Sequence, residues 1–268
     1  MLRRATDIWD AYRKRIHEEF AHTCASLGSL PQAAHDAHKD MISKTTILAL
    51  AYAGDGDSRG AVIACDGLVS SHYQKVIVNE NKIDQLDIRS AMATCGYAAP
   101  SMQAARYLRA LFRIAKLLDK QELSAKGKAQ QVNDLVGRYF SYEDYFFLPI
   151  FVAYDLVRKR ARLFDIWGGG GYRELNDCYA NGCGGEAALR VLKEGWDKDL
   201  TRNEAVDLAV RAIHAAAHET HGANEPQYVF CVTQKGLAQI QRPLIQRKLD
   251  RVRKTCKRCR EERQGGVV

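Results

Sequence analysis

A threonine, an aspartate, a lysine and a glycine follow one another between Thr45 and Gly96, each on or beside a short apolar run. Thr45 and Thr46 open the run Thr46–Tyr52, Asp66 closes Ala61–Asp66, Lys82 precedes Ile83, and Gly96 ends Ala91–Gly96. A threonine hydroxyl is a poor nucleophile until a base takes its proton. If the chain is cut before Thr45, the freed α-amine supplies that base from within the same residue. An α-amine titrates at roughly 7.7–8.0 in model peptides, close to where a general base should be poised. A lysine beside the hydroxyl favours its deprotonated form, and an aspartate keeps that lysine charged and in place. A backbone N–H aimed at the developing oxyanion contributes on the order of 3 kcal/mol. Each residue alone has a plainer reading. A Thr-Thr pair suits any strand start, Asp-Gly after an apolar run is a turn signal, and a single lysine is ordinarily solvated.

In combination these residues resemble the catalytic core of proteasome β-subunits and their bacterial relatives, threonine peptidases of the N-terminal-nucleophile hydrolase class. The spacings from Asp66 to Lys82 and from Lys82 to Gly96 match that family without gaps. The resemblance implies Thr45 as nucleophile, Lys82 and Asp66 as its activating pair and Gly96 as the oxyanion donor. It places the backbone of Ser70 against an extended substrate, and pocket positions at Val69, Glu80, Asp84, Thr94, Ala98 and Met102. Glu80 and Asp84 could attract a basic side chain, or be solvated turn residues. The reaction implied is hydrolysis of unfolded polypeptides through an acyl ester on Thr45, after autocatalytic removal of residues 1–44, with no cofactor and no metal. The fold implied is a four-layer αββα sandwich. The partners implied are other β-type subunits in stacked rings, with α-type subunits and an AAA+ ATPase or other activator at the ring ends.

Several positions depart from the family pattern. Lys44 stands where glycine usually precedes the threonine, and Cys183 where a serine lies near the active site. Thr220 and Ala223 occupy the places of a supporting Asp and Ser, and Glu219, one residue out of step, is a substitute acid. Cys183 offers a rival nucleophile, because a thiol at a helix N-terminus has a lowered pKa, although no histidine is near it in sequence. Lys44, Thr220 and Ala223 motivate a second reading, a non-catalytic ring subunit that keeps its leader.

The elements that must position these residues follow from periodicity. Trp9, Tyr12, Ile16 and Phe20 recur at helical spacing in a leader spanning 1–44, with His35 and His38 on a second helical piece as solvated positions. Four or five short strands span 45–96. Amphipathic helices follow, one carrying Tyr107, Leu108, Leu111, Ile114 and Leu118, the next spanning Gly127–Phe140. The run Tyr145–Tyr154 is a strand in which Pro149 suggests an edge or a bulge. Arg162–Trp167 is the next strand, turned by the glycines 168–171. A glycine-rich junction at Asp177–Gly185 enters a helix. Thr201–Glu204 is a capping box opening another, which ends with His214 and His218 one turn apart. Those two suit a metal pair in spacing, but no further ligand is evident, and a helix C-terminus suits charged histidines in any case. A last hairpin, Tyr228–Ile240, completes a catalytic domain over 45–242, and a basic helix and disordered tail fill 243–268.

The 268 residues carry a net charge of +8. From Arg242 to Arg263 there are ten Lys or Arg against three acids, so the surplus is one tail and not a broad nucleic-acid face. Binding of nucleic acid or an acidic protein through that tail is a third, weaker reading. Cys256-x-x-Cys259 within it is half a zinc motif. No run approaches a membrane span, the N-terminus lacks the apolar core of a secretory signal, and scattered cysteines in apolar runs suit reduced thiols in a cytoplasm.

Overall fold

A computed structural model describes residues 42–43, 45–53, 59–70, 75–77, 79–139, 147–167, 171–220 and 224–265. The expectations for the leader up to residue 41, for Lys44, for glycines 168–170 and for Ala223 fall outside the described residues. In chain order the elements are β1 (Ile42–Ser43), β2 (Thr46–Ala53), β3 (Arg59–Asp66), β4 (Val69–Ser70), β5 (Lys75–Ile77), β6 (Ile83–Asp87) and β7 (Ser90–Tyr97). Helices α1 (Ala98–Asp119) and α2 (Ala125–Tyr139) follow, then β8 (Phe147–Asp155), β9 (Arg160–Trp167), β10 (Gly171–Leu175) and β11 (Cys178–Gly182). Helices α3 (Gly185–Gly195) and α4 (Arg202–Glu219), strands β12 (Pro226–Thr233) and β13 (Gly236–Gln239) and helix α5 (Arg242–Gly265) complete it.

The strands form two antiparallel blades. One runs β11-β2-β3-β12-β13, the other β7-β8-β9-β10, and a single parallel bridge, Arg59 with Arg160, links them. On the free edge of β7, β6 pairs along Ser90–Ala93 and β1 pairs with Gly96 and Tyr97.

Side-chain alternation along the strands explains the layering. Successive residues of a strand face opposite sides. In β2, Ile47 and Ala49 point into a core shared with Ala91, Ala93, Ile150, Val152 and Leu163 of the other blade, while Leu48 and Leu50 point to α3 and α4. In the second blade Met92, Phe151 and Phe164 point the other way, to Leu108, Leu111, Val132 and Val136 of α1 and α2. Both faces of both blades are therefore apolar, which is why the central strands read as unbroken hydrophobic runs. Three cores separate four layers, the α/β/β/α sandwich expected.

Three details differ from the periodicity. Pro149 lies on β8, which is paired on both sides, opposite Thr94. The β8–β9 ladder begins only at Ile150 with Asp165, so the missing N–H forfeits no rung there. Helix α2 starts at Ala125, where Ser124 Oγ accepts the Gly127 N–H at 3.0 Å. The basic C-terminal helix begins in the core, since Ile245 and Leu249 are buried against α4 and β12. The capping box of α4 is formed, with the Thr201 hydroxyl accepting from Glu204 N and the Glu204 carboxylate accepting from Thr201 N. Among the described residues no helix is long and apolar enough to cross a membrane.

Candidate active site

Thr45 immediately precedes β2, Asp66 ends β3, Lys82 immediately precedes β6, and Gly96 lies near the end of β7. Antiparallel pairing of β2 with β3 sets Ile47 opposite Cys65 and so brings the Thr45-Thr46 pair to the Asp66 end of β3. The Thr45 hydroxyl donates to Asp66 Oδ1 at 2.7 Å, and Lys82 Nζ donates to the same oxygen at 2.7 Å and to Thr45 Oγ1. Thr45 and Asp66 are fully buried and Lys82 is 6% exposed. Burying two charges is tolerable only when each is paired and its remaining bonds are made. Thr46 N–H donates to Asp66 Oδ1 and Asn224 N–H to Asp66 Oδ2, both at 3.0 Å. The neighbouring Thr46 hydroxyl has no hydrogen-bond partner among the described residues, so of the threonine pair it is Thr45 whose oxygen meets both charged groups.

The loop carrying Lys82 is held at three points. Glu80 N–H donates to Gly67 O at 3.1 Å, Thr94 N–H to Lys82 O at 3.1 Å, and Ile83 N–H to the Asn81 side chain at 3.0 Å. Beside it, burial pushes the Cys65 thiol up to about 12 despite the Lys82 charge, and burial likewise pushes Cys95 up to about 12. Both thiols stay neutral and leave the lysine to Asp66.

Gly96 has φ +109° and pairs with Ser43 across the β1–β7 rungs. Residues Ile42–Ser43 thus lie as an extended strand along the Gly96–Tyr97 edge, shortly ahead of Thr45 in the chain. Glycine is required at a further position that the sequence did not single out. Gly182, at φ +93° and opposite Thr46 on β11, approaches Thr45 so closely that a Cβ there would sit 2.2 Å from the Thr45 carbonyl oxygen.

The other anticipated positions are placed as follows. Val69 and Ser70 form β4, paired with β5. Thr94 is buried on β7, Ala98 opens α1 half-buried, and Met102 is exposed. Asp84 is ion-paired with Arg109 of α1. Burial raises its carboxyl above the ordinary value and the Arg109 charge only partly offsets this, so Asp84 offers no uncompensated negative charge. Glu80 is half-buried. Cys183 is exposed, one residue beyond Gly182.

The substitute acid Glu219 is a correction. Its carboxylate binds Arg190 of α3 with both oxygens at 2.5 Å, on the exposed surface. Thr220 is the C-cap of α4, donating its N–H to Ala216 O at 3.0 Å. Among the described residues of that loop, Asn224 reaches the cluster, through its backbone. A main-chain contact leaves no trace in residue type, so neither spacing nor composition could have found it. Among the described residues around Thr45, Asp66 and Lys82 bond one another and the Thr45 hydroxyl.

Residues 43–232 match the family model described as "Proteasome subunit". A proteasome subunit beta of Acidimicrobium ferrooxidans is 31% identical over 184 residues, 68% of this chain and 66% of that protein. A proteasome subunit beta 1 of Thermococcus gammatolerans is 28% identical over 184 residues, covering 68% and 88% of the two chains. A proteasome subunit beta of Ferroglobus placidus is 28% identical over 207 residues, covering 74% and 96%.

Proposed function

We propose, proceeding from the fact that this chain belongs to the proteasome subunit family and to its β-type, that it is a threonine endopeptidase matured by cleavage before Thr45. The observation that carries this reading is the buried contact of one hydroxyl with both an ammonium and a carboxylate: Thr45 Oγ1 with Lys82 Nζ and Asp66 Oδ1.

Maturation begins with attack of Thr45 Oγ on the preceding carbonyl, which breaks the peptide C–N bond and frees the α-amine as the ester forms; water then hydrolyses the ester, releasing residues 1–44 and restoring the hydroxyl. In each later turnover that amine takes the Thr45 proton as Oγ attacks the substrate carbonyl. The Lys82 ammonium stabilises the oxygen as it loses its proton, and Asp66 keeps the ammonium charged and aimed. The protonated amine returns the proton to the leaving nitrogen, and water then resolves the acyl ester. An extended substrate takes the place of Ile42–Ser43 along the Gly96–Tyr97 edge, where main-chain pairing is already formed. Gly96 N–H serves the oxyanion.

The wider assembly belongs to the same proposal: rings of β-type subunits enclosing the sites, with α-type subunits and an activating ATPase at the ends, working on unfolded polypeptides in the cytoplasm. The ion pair of Asp84 with Arg109 argues against a preference for basic side chains, so Leu- or Tyr-type fluorogenic peptides should be cleaved at least as fast as Lys- or Arg-type ones.

Intact-mass measurement of the purified protein and of Thr45→Ala tests the reading. We expect loss of residues 1–44 and peptide hydrolysis in the parent, and a full-length, inactive Thr45→Ala chain. A parent that stays full-length and inactive in assembled rings would sink the peptidase and favour the scaffold subunit. The departures at Lys44, Thr220 and Ala223 motivate that second reading, and among the described residues no acid side chain from the loop after α4 reaches Thr45.

A further inference from the structure

We propose that His214, His218 and Glu225 form a binding site for a divalent transition-metal ion of the zinc type, at the junction of α4 and α5. The three side chains bring one ligand atom each to within 4.8 Å of one another. His214 Nδ1 is 3.0 Å from Glu225 Oε2, and His218 Nε2 is 4.0 Å from Glu225 Oε1. Tetrahedral zinc with bonds of about 2.0–2.1 Å holds its ligand atoms about 3.3 Å apart, so closing this set needs a shift of one side chain of the order of 1 Å, and the one that must move is the freest. His218 is half-exposed, whereas His214 is buried at 4% and fixed.

The local structure favours this combination. Positions 214 and 218 are one helical turn apart, so the two rings stand over one another, with centroids 4.4 Å apart and nearly perpendicular. Glu225 comes from the chain just beyond the helix and closes the third side. In the metal-free arrangement His214 Nδ1 faces both Glu225 oxygens, at 3.1 and 3.0 Å, across the space the ion would take. A bound ion would take the Nδ1 lone pair, with the ring proton on Nε2. The three side chains line the groove between α4 and α5, which leaves room for water as a fourth ligand. Imidazole and carboxylate together suit zinc better than the hard, all-oxygen cations.

Arg253 of α5 is the competitor. Its guanidinium donates to Glu225 Oε1 at 3.1 Å. Burial works to raise the Glu225 carboxyl, and the His214 bond and the Arg253 charge overcome this and hold it below the ordinary value. The ion would also fix the segment beside the Thr45 cluster, since Asn224, which donates to Asp66, precedes Glu225 directly. Binding itself is independent of the peptidase reading and is measured without activity.

The test uses the full chain carrying Cys256→Ser and Cys259→Ser, so that those thiols contribute nothing. After chelator treatment it is titrated with Zn2+ against a chromogenic zinc indicator. We expect one ion per chain and a higher melting temperature with zinc. His218→Ala and Glu225→Gln should each weaken binding about tenfold or more, and Arg253→Gln, which removes the competing cation, should tighten it. His218 is half-exposed, so its alanine variant keeps the fold. The proposal is overturned if the chain holds no zinc against the indicator, or if His218→Ala and Glu225→Gln bind it as tightly as the parent.

Discussion

Three lysines are buried among the described residues, Lys82, Lys128 and Lys248, and the first two do different work. Lys82 is 6% exposed and sits 2.7 Å from Asp66; Lys128, on α2, is 2% exposed and sits 2.6 Å from Asp87. Each pair takes a strand carboxylate and an ammonium out of water, at a desolvation cost that only good geometry recovers. The difference lies in the third partner. Lys128 is completed by a second acid, Glu122 at 3.6 Å, and by the face of Phe112 at 5.9 Å. Its donors are spent on holding α2 against the β6–β7 turn. Lys82 is completed by a neutral hydroxyl that also bonds the same carboxylate oxygen, an arrangement that adds little rigidity but polarises one oxygen. A buried Lys–Asp pair is thus a scaffold device by default, and it becomes a candidate for chemistry through the weak nucleophile placed between its members.

Substitution separates the two most sharply. Lys82→Ala should lower peptide hydrolysis on the order of 10^3-fold, since it removes both the charge beside the nucleophile and the group that orients it. The measurement is the initial rate on a fluorogenic peptide, with leader retention read by mass. Lys128→Met should do the reverse. Leaving Asp87 and Glu122 without their buried cation should cost about 3–5 kcal/mol, seen in chemical denaturation, while the rate per folded molecule stays near the parent's. If Lys128→Met abolished hydrolysis in fully folded protein, the contrast between the two lysines would collapse.

A smaller effect probes the wall behind the nucleophile. Gly182→Ala adds a Cβ where the Thr45 carbonyl stands and forces an alanine to φ +93°. The strand end must move, and a displacement of about 1 Å at a reacting group can cost on the order of 10^2-fold in rate. We expect that loss in kcat with assembly retained. An unchanged rate would mean that Thr45 does not depend on β11 for its position.

The two lysines also mark how far the sequence could be read. Lys82 stood out because its distances from Asp66 and Gly96 fit a family pattern, and because apolar runs on either side fixed which strands carried them. The four layers were legible for the same reason: runs such as Ile47–Leu50 and Phe151–Val152, apolar on both faces, require cover on both sides. Lys128 lies among Lys126, Gln130 and Gln131, the polar residues of an amphipathic helix, and only the docking of that helix buries it. Glu219 was misjudged because one residue of register at a helix end turns a side chain by about 100°, here towards Arg190. Gly182 was one of several glycines in its segment, and nothing in composition says which of them a neighbouring carbonyl crowds. Asn224 acts through its main chain and Glu225 through a fold-back onto His214, and both depend on tertiary path.

The gentlest way to sharpen the contrast is acid. Burial works to raise the Asp87 carboxyl, but the Lys128 charge and hydrogen bond, with donors from Ser90 Oγ at 2.8 Å and Arg89 N at 2.9 Å, leave it below the ordinary value. A carboxyl depressed in the folded state binds its proton more readily when unfolded. Its stabilising contribution is complete above the unfolded value of about 3.9, and it is lost as pH falls from there through the folded value. Glu122 is depressed as well, through Lys116, Lys128 and Arg89 acting against burial, and adds in the same direction. The parent's melting temperature should therefore drop below about pH 4, and Asp87→Asn should start lower near neutrality but fall less steeply over that interval. Parallel acid profiles for parent and Asp87→Asn would mean that the ammonium of Lys128 draws nothing from this carboxylate, and the scaffold role assigned to the pair would have to rest on Glu122 alone.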